Sequence, residues 1–218
     1  MSFKPILIVS GEKNSIFFEI FFKALKKIKF KSPLILISSL SLVQKEKDKY
    51  KFYKKIKILK INDLKFSQLD NKTINLINVD DEKQIKLYSN LDNNKNFIEK
   101  CFNVAFKLIK IGFTNKFING PISKKKFLDK KFLGVTEYIT KKFHVKNSAM
   151  LIYNSKLSVS PLTTHQPIKL VAKNITKRKI INHTLLINDF YKFYNKRKPI
   201  IGILGLNPHC ETIDIFDE

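Results

Sequence analysis

The sequence predicts an α/β fold built on a parallel β-sheet. The chain opens with a short apolar run, a helical repeat and a second apolar run, in the order strand, helix, strand. Further apolar runs and helical repeats follow along the chain. Units of the β–α–β type join parallel strands, and 218 residues are enough to enclose a sizeable core.

The first three elements are the most regular. "KPILIVSGE" predicts a buried strand that enters a loop at Gly11, and "SPLILISS" predicts a second strand. Between them, "NSIFFEIFFKALKKIKF" predicts a helix capped by Asn14 or Ser15. Helical spacing places on its apolar face Phe17, Ile20, Phe21, Ala24 and Ile28.

The later elements alternate less regularly. Short strands are predicted at "KIKILKI" and "TINLINV", followed by a long helix ending at Gly112 and a strand in "TNKFING". The remaining predictions are a helix from Thr136, β-like runs in "SAMLIYN" and "KLSVSPLTTH", a helix from about Asn174 to Tyr194, and a last strand in "KPIIGILGLNPH". Residues 1–218 form one predicted region, and the sequence does not define a domain boundary within it. Because no helix follows to cover the last strand, a further segment or a partner chain is expected to cover it.

The charge of the chain is strongly positive, at +24. Of 42 basic residues 40 are Lys, and only Arg178 and Arg197 are Arg. Nucleic-acid-binding proteins favour Arg for bidentate contacts, so scattered lysines indicate solvated faces and disfavour a nucleic-acid partner. A patch that binds phosphate-bearing small molecules is compatible with this charge. The rival hypothesis, a basic nucleic-acid-binding protein, predicts an affinity that falls steeply with salt.

Hydropathy and cysteine spacing indicate a cytoplasmic protein with no membrane partner. The apolar runs are too short to cross a bilayer, and no signal-peptide pattern follows Met1. Cys101 and Cys210 show no C-x-x-C spacing, so neither a disulfide framework nor a zinc finger is indicated. Cys101 lies in a helical segment and is expected to be a core thiol.

Two histidines each follow an apolar, strand-like run. His165 ends "LSVSPLTTH" and His209 ends "GILGLNPH". Ligands of open α/β sheets bind beyond the carboxyl ends of the strands, so both imidazoles could meet on one divalent ion. The alternative is two unrelated turn histidines. A catalytic metal usually has three protein ligands. The nearby candidates for the third are Cys210, Glu211 and Asp214, and a residue of a missing segment or of a partner chain is another.

Three other segments carry weaker signals. The turn "INGPISK", residues 118–124, could present backbone N–H groups and Lys124 to an anion, or be an ordinary strand-to-helix turn. "SGEKNS" after the first strand lacks G-x-G-x-x-G, so a standard Rossmann site is not predicted. His144 and His183 lie in Lys-rich helical segments, where surface roles are expected.

Four segments together resemble a known family. "NGPISK", "GVTEY", "SAMLIYNSKLSVSPLTTHQPI" and "GILGLNPH" occur in the order and at the spacing of the 4-hydroxythreonine-4-phosphate dehydrogenases of vitamin B6 biosynthesis. The resemblance is weak between residues 40 and 95 and covers about the first two-thirds of a usual member. It implies an α/β/α two-domain architecture similar to isocitrate and isopropylmalate dehydrogenases, incomplete at the C-terminus. It also implies a homodimer with active sites at the subunit interface.

The resemblance assigns roles to individual residues. His165 and His209 match two of the three metal-binding histidines, and the third would lie beyond Glu218. Thr136 matches a threonine that contacts substrate. Val135 stands where the family has histidine. The downstream lysine, asparagine and arginine that contact the substrate phosphate are also absent.

The chemistry implied by the resemblance is oxidation of a secondary alcohol with hydride transfer to NAD or NADP. A divalent metal (Zn, Mg or Co) would lower the pKa of the hydroxyl and polarise the ketone, and would then stabilise the enolate as carbon dioxide leaves. Because the metal shell is incomplete, the 218 residues alone are expected to be inactive. Val135 motivates an alternative, a divergent relative that acts on another phosphorylated hydroxy acid.

Overall fold

The computed structural model of the chain describes residues 3–65, 69–80, 97–123, 127–128, 132 and 134–206. The chain divides into two compact units, Met1–Phe127 and Leu128–Glu218. Within the described residues, no helix is long and apolar enough to cross a membrane.

The first unit contains a five-stranded sheet that is parallel throughout. Its elements are β1 (Ile6–Val9), α1 (Phe17–Lys27), β2 (Leu34–Ser38), α2 (Leu40–Lys49), β3 (Ile56–Ile58), a 3-10 turn (Ile61–Asp63), β4 (Ile74–Asn78), α3 (Phe97–Lys110) and β5 (Phe117–Asn119). The strand order is β3-β4-β2-β1-β5, and every neighbouring pair is parallel. The predicted α/β class with a parallel sheet is therefore confirmed.

One face of the sheet packs against α1 and α2. Ile8 of β1 and Leu36 of β2 lie in one buried cluster with Phe18 and Phe22 of α1 and Val43 of α2. Successive residues of a strand point to opposite faces, so these side chains define one face of the sheet. A buried Leu, Ile or Phe stabilises the fold by about 1.5–3 kcal/mol, so this cluster is a major part of the core.

The opposite face packs against α3. Leu7 of β1 is in register with Phe117 of β5, so both side chains point to the same side of the sheet. The ring of Phe102 in α3 lies 5.5 Å from that of Phe117. Cys101 is fully buried in α3, as expected for a core thiol, and burial raises the pKa of its thiol. Gly112, with φ +76°, follows the end of α3 as predicted.

The predicted cap and apolar face of α1 need correction. The N-cap is Ile16, although the Ser15 hydroxyl still accepts a bond from the N–H of Phe17. Ile20 is 55% exposed, and the buried residues of the helix are Phe17, Phe18, Phe21 and Phe22. Apolar residues surround most of this helix, so spacing alone did not identify the stripe that contacts the sheet.

The second unit is mainly helical. Its elements are α4 (Val135–Lys142), a 3-10 turn (Ile168–Leu170), α5 (Val171–Asn174), α6 (Lys177–Phe190) and a π-helical turn (Tyr191–Asn195). The predicted helix from about Asn174 to Tyr194 thus corresponds to α6 and the turn that follows it.

The strands predicted in the second unit were wrong. The only pairing among its described residues is an isolated antiparallel bridge between Ile152 and Val159. Residues 199–206 form no strand, and Ile200 and Leu204 are exposed. A strand needs a neighbour to pair its backbone groups, and these apolar runs find no such neighbour in the described part of the unit. His165 therefore does not follow a strand.

Candidate functional site

The loop after β1 and the turn after β5 cross at close range in the first unit. A Cβ placed on Gly120 would lie 2.4 Å from the carbonyl oxygen of Ser10. A Cβ placed on Gly11, whose φ is +73°, would lie 2.3 Å from the carbonyl oxygen of Pro121. Only residues without a side chain allow this approach of two backbones. This crossing explains why the sequence has glycine at both positions.

Glu12 joins the same two loops by hydrogen bonds. Its backbone N–H donates to the carbonyl oxygen of Pro121 at 2.8 Å, and its Oε1 accepts from the N–H of Ser123 at 3.3 Å. One N–H of the turn proposed to bind an anion is thus already bonded to a carboxylate of the chain. Lys124, the cation of that proposal, lies outside the described residues. The geometry supports a structural role for this turn.

An open cleft of about 510 Å³ lies within the second unit. Thr136, the second residue of α4, is exposed and lines this cleft. Thr164, which directly precedes His165, lines it as well. The full lining is Thr136, Glu137, Lys146, Asn147, Ser148, Met150, Pro161, Leu162, Thr164, Thr176, Arg178, Lys179, Asn182, His183 and Leu186. Hydroxyl, amide and cationic groups therefore surround the threonine that the resemblance assigned to the substrate.

His165 lies in an exposed loop with a left-handed backbone, at φ +53°. A Cβ placed on Gly134 would lie 3.7 Å from His165 Nε2 and 2.8 Å from Glu137 Oε2. That carboxylate oxygen is buried and has no hydrogen-bond partner within the described residues. An imidazole nitrogen and an otherwise unbonded carboxylate oxygen thus flank the same glycine. Imidazole and carboxylate are ligands that bind Zn²⁺, so this donor set is chemically suited to a divalent metal.

The predicted sharing of one ion by His165 and His209 stays a prediction. His209 lies outside the described residues, as do Cys210, Glu211 and Asp214. Among the residues that the structure describes, no group of three or more His, Cys, Asp or Glu is placed to hold a metal. Of the expected donor set, His165 is the member that lies within the described residues, and Glu137 beside it was not predicted as a ligand.

His183 of α6 has a role that the sequence did not indicate. Its Nε2 lies 2.6 Å from the hydroxyl of Ser160, which itself donates to the carbonyl oxygen of Met150. A serine hydroxyl has one hydrogen, so Ser160 accepts from the Nε2–H of the imidazole. Burial lowers the pKa of His183, and the charge of Lys179 lowers it further. The sequence predicted a surface role for His183 and did not indicate this contact, because Ser160 is distant from it in sequence.

The free energy of unfolding should decrease when His183 is protonated. Its pKa in the folded chain lies below the ordinary value of 6.5, so the unfolded chain binds the proton more strongly. The contribution to stability is complete above pH 6.5 and is lost as the pH falls through the lowered pKa. Urea unfolding between pH 7.5 and 5 should show this loss, and His183→Gln should reduce the pH dependence. An identical pH dependence in both proteins would contradict the prediction; the exposed His144→Gln serves as a control.

Comparison with known proteins identifies relatives. A family model described as "Pyridoxal phosphate biosynthetic protein PdxA" matches residues 29–214. The 4-hydroxythreonine-4-phosphate dehydrogenase of Sulfurihydrogenibium sp. (strain YO3AOP1) is 43% identical over 93 residues, which are 41% of this chain and 29% of that protein. A protein of Bradyrhizobium diazoefficiens, provisionally named D-threonate 4-phosphate dehydrogenase, is 29% identical over 123 residues, 55% of this chain and 35% of that protein.

A solved structure has the same fold. It is provisionally described as a 4-hydroxythreonine-4-phosphate dehydrogenase from Salmonella typhimurium and superposes with a TM-score of 0.77 at 20% identity. The superposition covers 99% of this chain and 68% of that one. The α/β/α two-domain fold class expected from the resemblance is therefore confirmed. The matched segments span about a third of the length of the two curated relatives.

Proposed function

The chain belongs to the family of the pyridoxal phosphate biosynthetic protein PdxA, and we propose on this basis that it is part of a 4-hydroxythreonine-4-phosphate dehydrogenase of vitamin B6 biosynthesis. The family match over residues 29–214 is the observation that carries the proposal. The reaction would oxidise a secondary alcohol, pass a hydride to NAD or NADP, and release carbon dioxide from the resulting β-keto acid.

Thr136 would bind the substrate. Its side chain is exposed to the open cleft of the second unit, next to Glu137 and in the same lining as Thr164. A threonine hydroxyl can donate one hydrogen bond and accept others, which suits a phosphate or a carboxylate oxygen. This position supports the role that the resemblance gives to Thr136.

His165 and His209 would hold a divalent metal, Zn, Mg or Co. An oxygen of Glu137 beside Gly134 has no hydrogen-bond partner in the described part of the chain, which supports a cation at this position. When bound, such an ion lowers the pKa of a hydroxyl and polarises a carbonyl. His165 would help to orient the substrate hydroxyl, because its constrained backbone fixes the position of its side chain. The carboxylate of Glu137 would add a negative charge that offsets the positive charge of the ion.

The proposal includes a homodimer with the active site at its interface, in the cytoplasm. Exposed apolar side chains around the Ile152–Val159 bridge support such an interface: Ile152, Tyr153, Leu157 and Val159. Burying such side chains against a second copy would remove apolar surface from water. The free, buried thiol of Cys101 suits a reducing compartment.

Leu157→Glu should weaken the dimer. Leu157 is 74% exposed, and a buried charge at an interface without a partner is costly, so the dimer dissociation constant should rise at least about tenfold. Sedimentation velocity measures the change. Ile111→Glu, at an exposed isoleucine of the first unit, is the matched control. A wild-type monomer, or equal effects of the two variants, would contradict this interface.

The function is tested by formation of NADH or NADPH from 4-hydroxythreonine 4-phosphate, with each of the three metals. We expect no turnover by the chain alone, because two matching imidazoles are fewer than the three protein ligands that a catalytic metal usually has. Adding the carboxyl-terminal third of the Sulfurihydrogenibium relative should restore turnover. Turnover by the chain alone would refute the proposed inactivity. As a positive control, the same supplement should activate the matching piece of the relative. If it does so but gives no turnover with this chain, the dehydrogenase function would be refuted.

A second candidate function is oxidation of a different phosphorylated hydroxy acid. The similarity to the Bradyrhizobium protein named for D-threonate 4-phosphate favours this candidate, as does Val135 in place of the family histidine. In the supplemented assay, the ratio of kcat/KM for the two substrates separates the candidates. If D-threonate 4-phosphate is the substrate, it should be preferred, and Val135→His should shift that preference. An unchanged preference for 4-hydroxythreonine 4-phosphate in both proteins would exclude it.

Nucleic acid is not a proposed partner. A nucleic-acid-binding protein would lose affinity steeply with salt as counterions return to the phosphates. Filter binding at salt concentrations between 50 and 200 mM therefore tests the hypothesis of nucleic-acid binding directly. Weak binding that does not change with salt would count against it.

A further inference from the structure

We infer that His183 is a positioning residue for the cleft of the second unit, because its hydrogen bond to Ser160 holds the segment that carries Thr164 and His165. This role rests on the proposed function, which gives His165 a metal and the cleft a substrate. The contacts that fix the segment belong to the described residues and do not depend on that function.

The segment of residues 160–166 is fixed at both of its ends by helices. At its start, Nε2 of His183 in α6 lies 2.6 Å from the hydroxyl of Ser160. At its end, the side-chain amide of Asn174, the last residue of α5, donates to Oε1 of Gln166 at 2.8 Å. The residues between these two contacts form neither helix nor strand. Their conformation therefore depends on side-chain contacts such as these.

The hydrogen bond between His183 and Ser160 has a fixed direction. Ser160 uses its one hydrogen to donate to the carbonyl oxygen of Met150, so it accepts from the imidazole. The Nε2–H that donates is present in this neutral tautomer and in the charged imidazolium alike. His183 can thus hold Ser160 in either protonation state.

The backbone of His165 needs support from its surroundings. Its φ of +53° is left-handed, a conformation that a residue other than glycine keeps only where neighbouring contacts enforce it. Pro161, directly after Ser160, has a fixed φ, so this part of the chain absorbs little of any displacement of Ser160. Pro161, Thr164 and His183 all line the cleft. A movement of Ser160 should therefore reach both the cleft wall and His165.

Tyr191 provides a matched comparison. Its hydroxyl donates to Oγ of Ser158 at 2.8 Å, so it also joins the end of α6 to the chain just before the segment. The contact lies outside residues 160–166. Tyr191→Phe removes this one hydrogen bond and keeps the ring, while both contacts that fix the segment remain.

The test records the backbone amide signals of Thr164 and His165 by heteronuclear NMR of the isotope-labelled chain. His183→Val should shift or broaden both signals, and Tyr191→Phe should leave them at their wild-type positions. His183→Gln should restore them, because the glutamine amide keeps a donor close to the position of Nε2. Urea unfolding of each variant shows whether a difference between His183→Val and Tyr191→Phe exceeds what their stabilities explain.

Ser160→Ala tests the same hydrogen bond from its other side and serves if His183→Val does not fold. It should shift the same two signals, and the double variant Ser160→Ala/His183→Val should add little, since both changes remove one interaction. Wild-type signals in Ser160→Ala, no restoration by His183→Gln, or equal shifts in Tyr191→Phe and His183→Val would each overturn the inference.

The affinity for Zn²⁺, measured by competition with a chelator, connects this role to the proposed metal. His183→Val should weaken binding about tenfold, the lower end of the range for groups that orient a metal ligand, and Tyr191→Phe should not. Binding that His183→Val leaves unchanged would count against the positioning of His165. If the wild type binds no Zn²⁺, the proposed metal fails, and the amide signals still decide the role of His183.

Discussion

Gly120→Ala should destabilise the chain by about 2–3 kcal/mol, the upper part of the range for overpacking a tight interior. The new Cβ would lie 2.4 Å from the carbonyl oxygen of Ser10 and 2.8 Å from Cδ2 of Phe17. The first contact is with backbone, which cannot rotate away as a flexible side chain would. The loop after β1 and the turn after β5 would have to separate, which strains the register between β1 and the edge strand β5. Urea unfolding followed by circular dichroism measures the loss.

Two other glycines provide graded controls. Gly202→Ala meets no atom of the described residues within 4 Å and should change the free energy of unfolding by less than about 0.5 kcal/mol. Gly112→Ala also meets open space, but its φ of +76° disfavours a side chain, and about 1 kcal/mol should be lost. The expected loss of stability increases from Gly202 to Gly112 to Gly120. The difference between Gly202 and Gly112 measures backbone strain, and the further loss at Gly120 measures steric overlap. A loss at Gly120 no larger than at Gly112 would contradict the close crossing of the loops.

The strands of the first unit could be predicted because they are buried on both faces. β1, β2 and β4 are short apolar runs bounded by polar loops, and such runs have few other stable arrangements. Helix α2 was not predicted from the sequence, because little of it is buried. Val43 is its one buried residue, so the segment shows little apolar periodicity. It is fixed instead by Ser39, whose hydroxyl accepts from the N–H of Leu42 at 3.3 Å and donates to Asp80 at 2.5 Å.

The second unit shows where sequence patterns are ambiguous. "SAMLIYN" and "KLSVSPLTTH" have the β-branched, apolar composition of strands, yet the described structure pairs only Ile152 with Val159. The same composition suits an apolar surface that another chain could cover. Sequence periodicity reports which side chains avoid water and does not report what covers them.

The candidate site could be predicted in part. Thr136 was identified through a family resemblance, and it lies in the cleft. The rest of the lining comes from segments distant in sequence, and no local pattern joins Lys146 to His183.

His165→Asn should weaken Zn²⁺ binding about 100-fold or more, since even groups that merely orient a metal ligand are worth about 10- to 100-fold in affinity. The side chain of His165 approaches Gly134 beside an oxygen of Glu137 that has no hydrogen-bond partner among the described residues, which supports a cation there. Asparagine is chosen because it tolerates the left-handed backbone at φ +53° better than alanine does. The dissociation constant is measured by competition with a chromophoric chelator, which requires no catalytic activity.

His144→Asn is a closely matched control for this experiment. His144 is also an exposed histidine of the second unit with a left-handed backbone, at φ +54°, so the same substitution imposes the same backbone requirement. It should leave the affinity for Zn²⁺ unchanged. Glu137→Gln should weaken binding by a smaller factor than His165→Asn, because it removes charge while keeping an oxygen beside Gly134. If His144→Asn lowered the affinity as much as His165→Asn, the metal would have to bind elsewhere, and His165 would be a turn residue whose position serves the backbone alone.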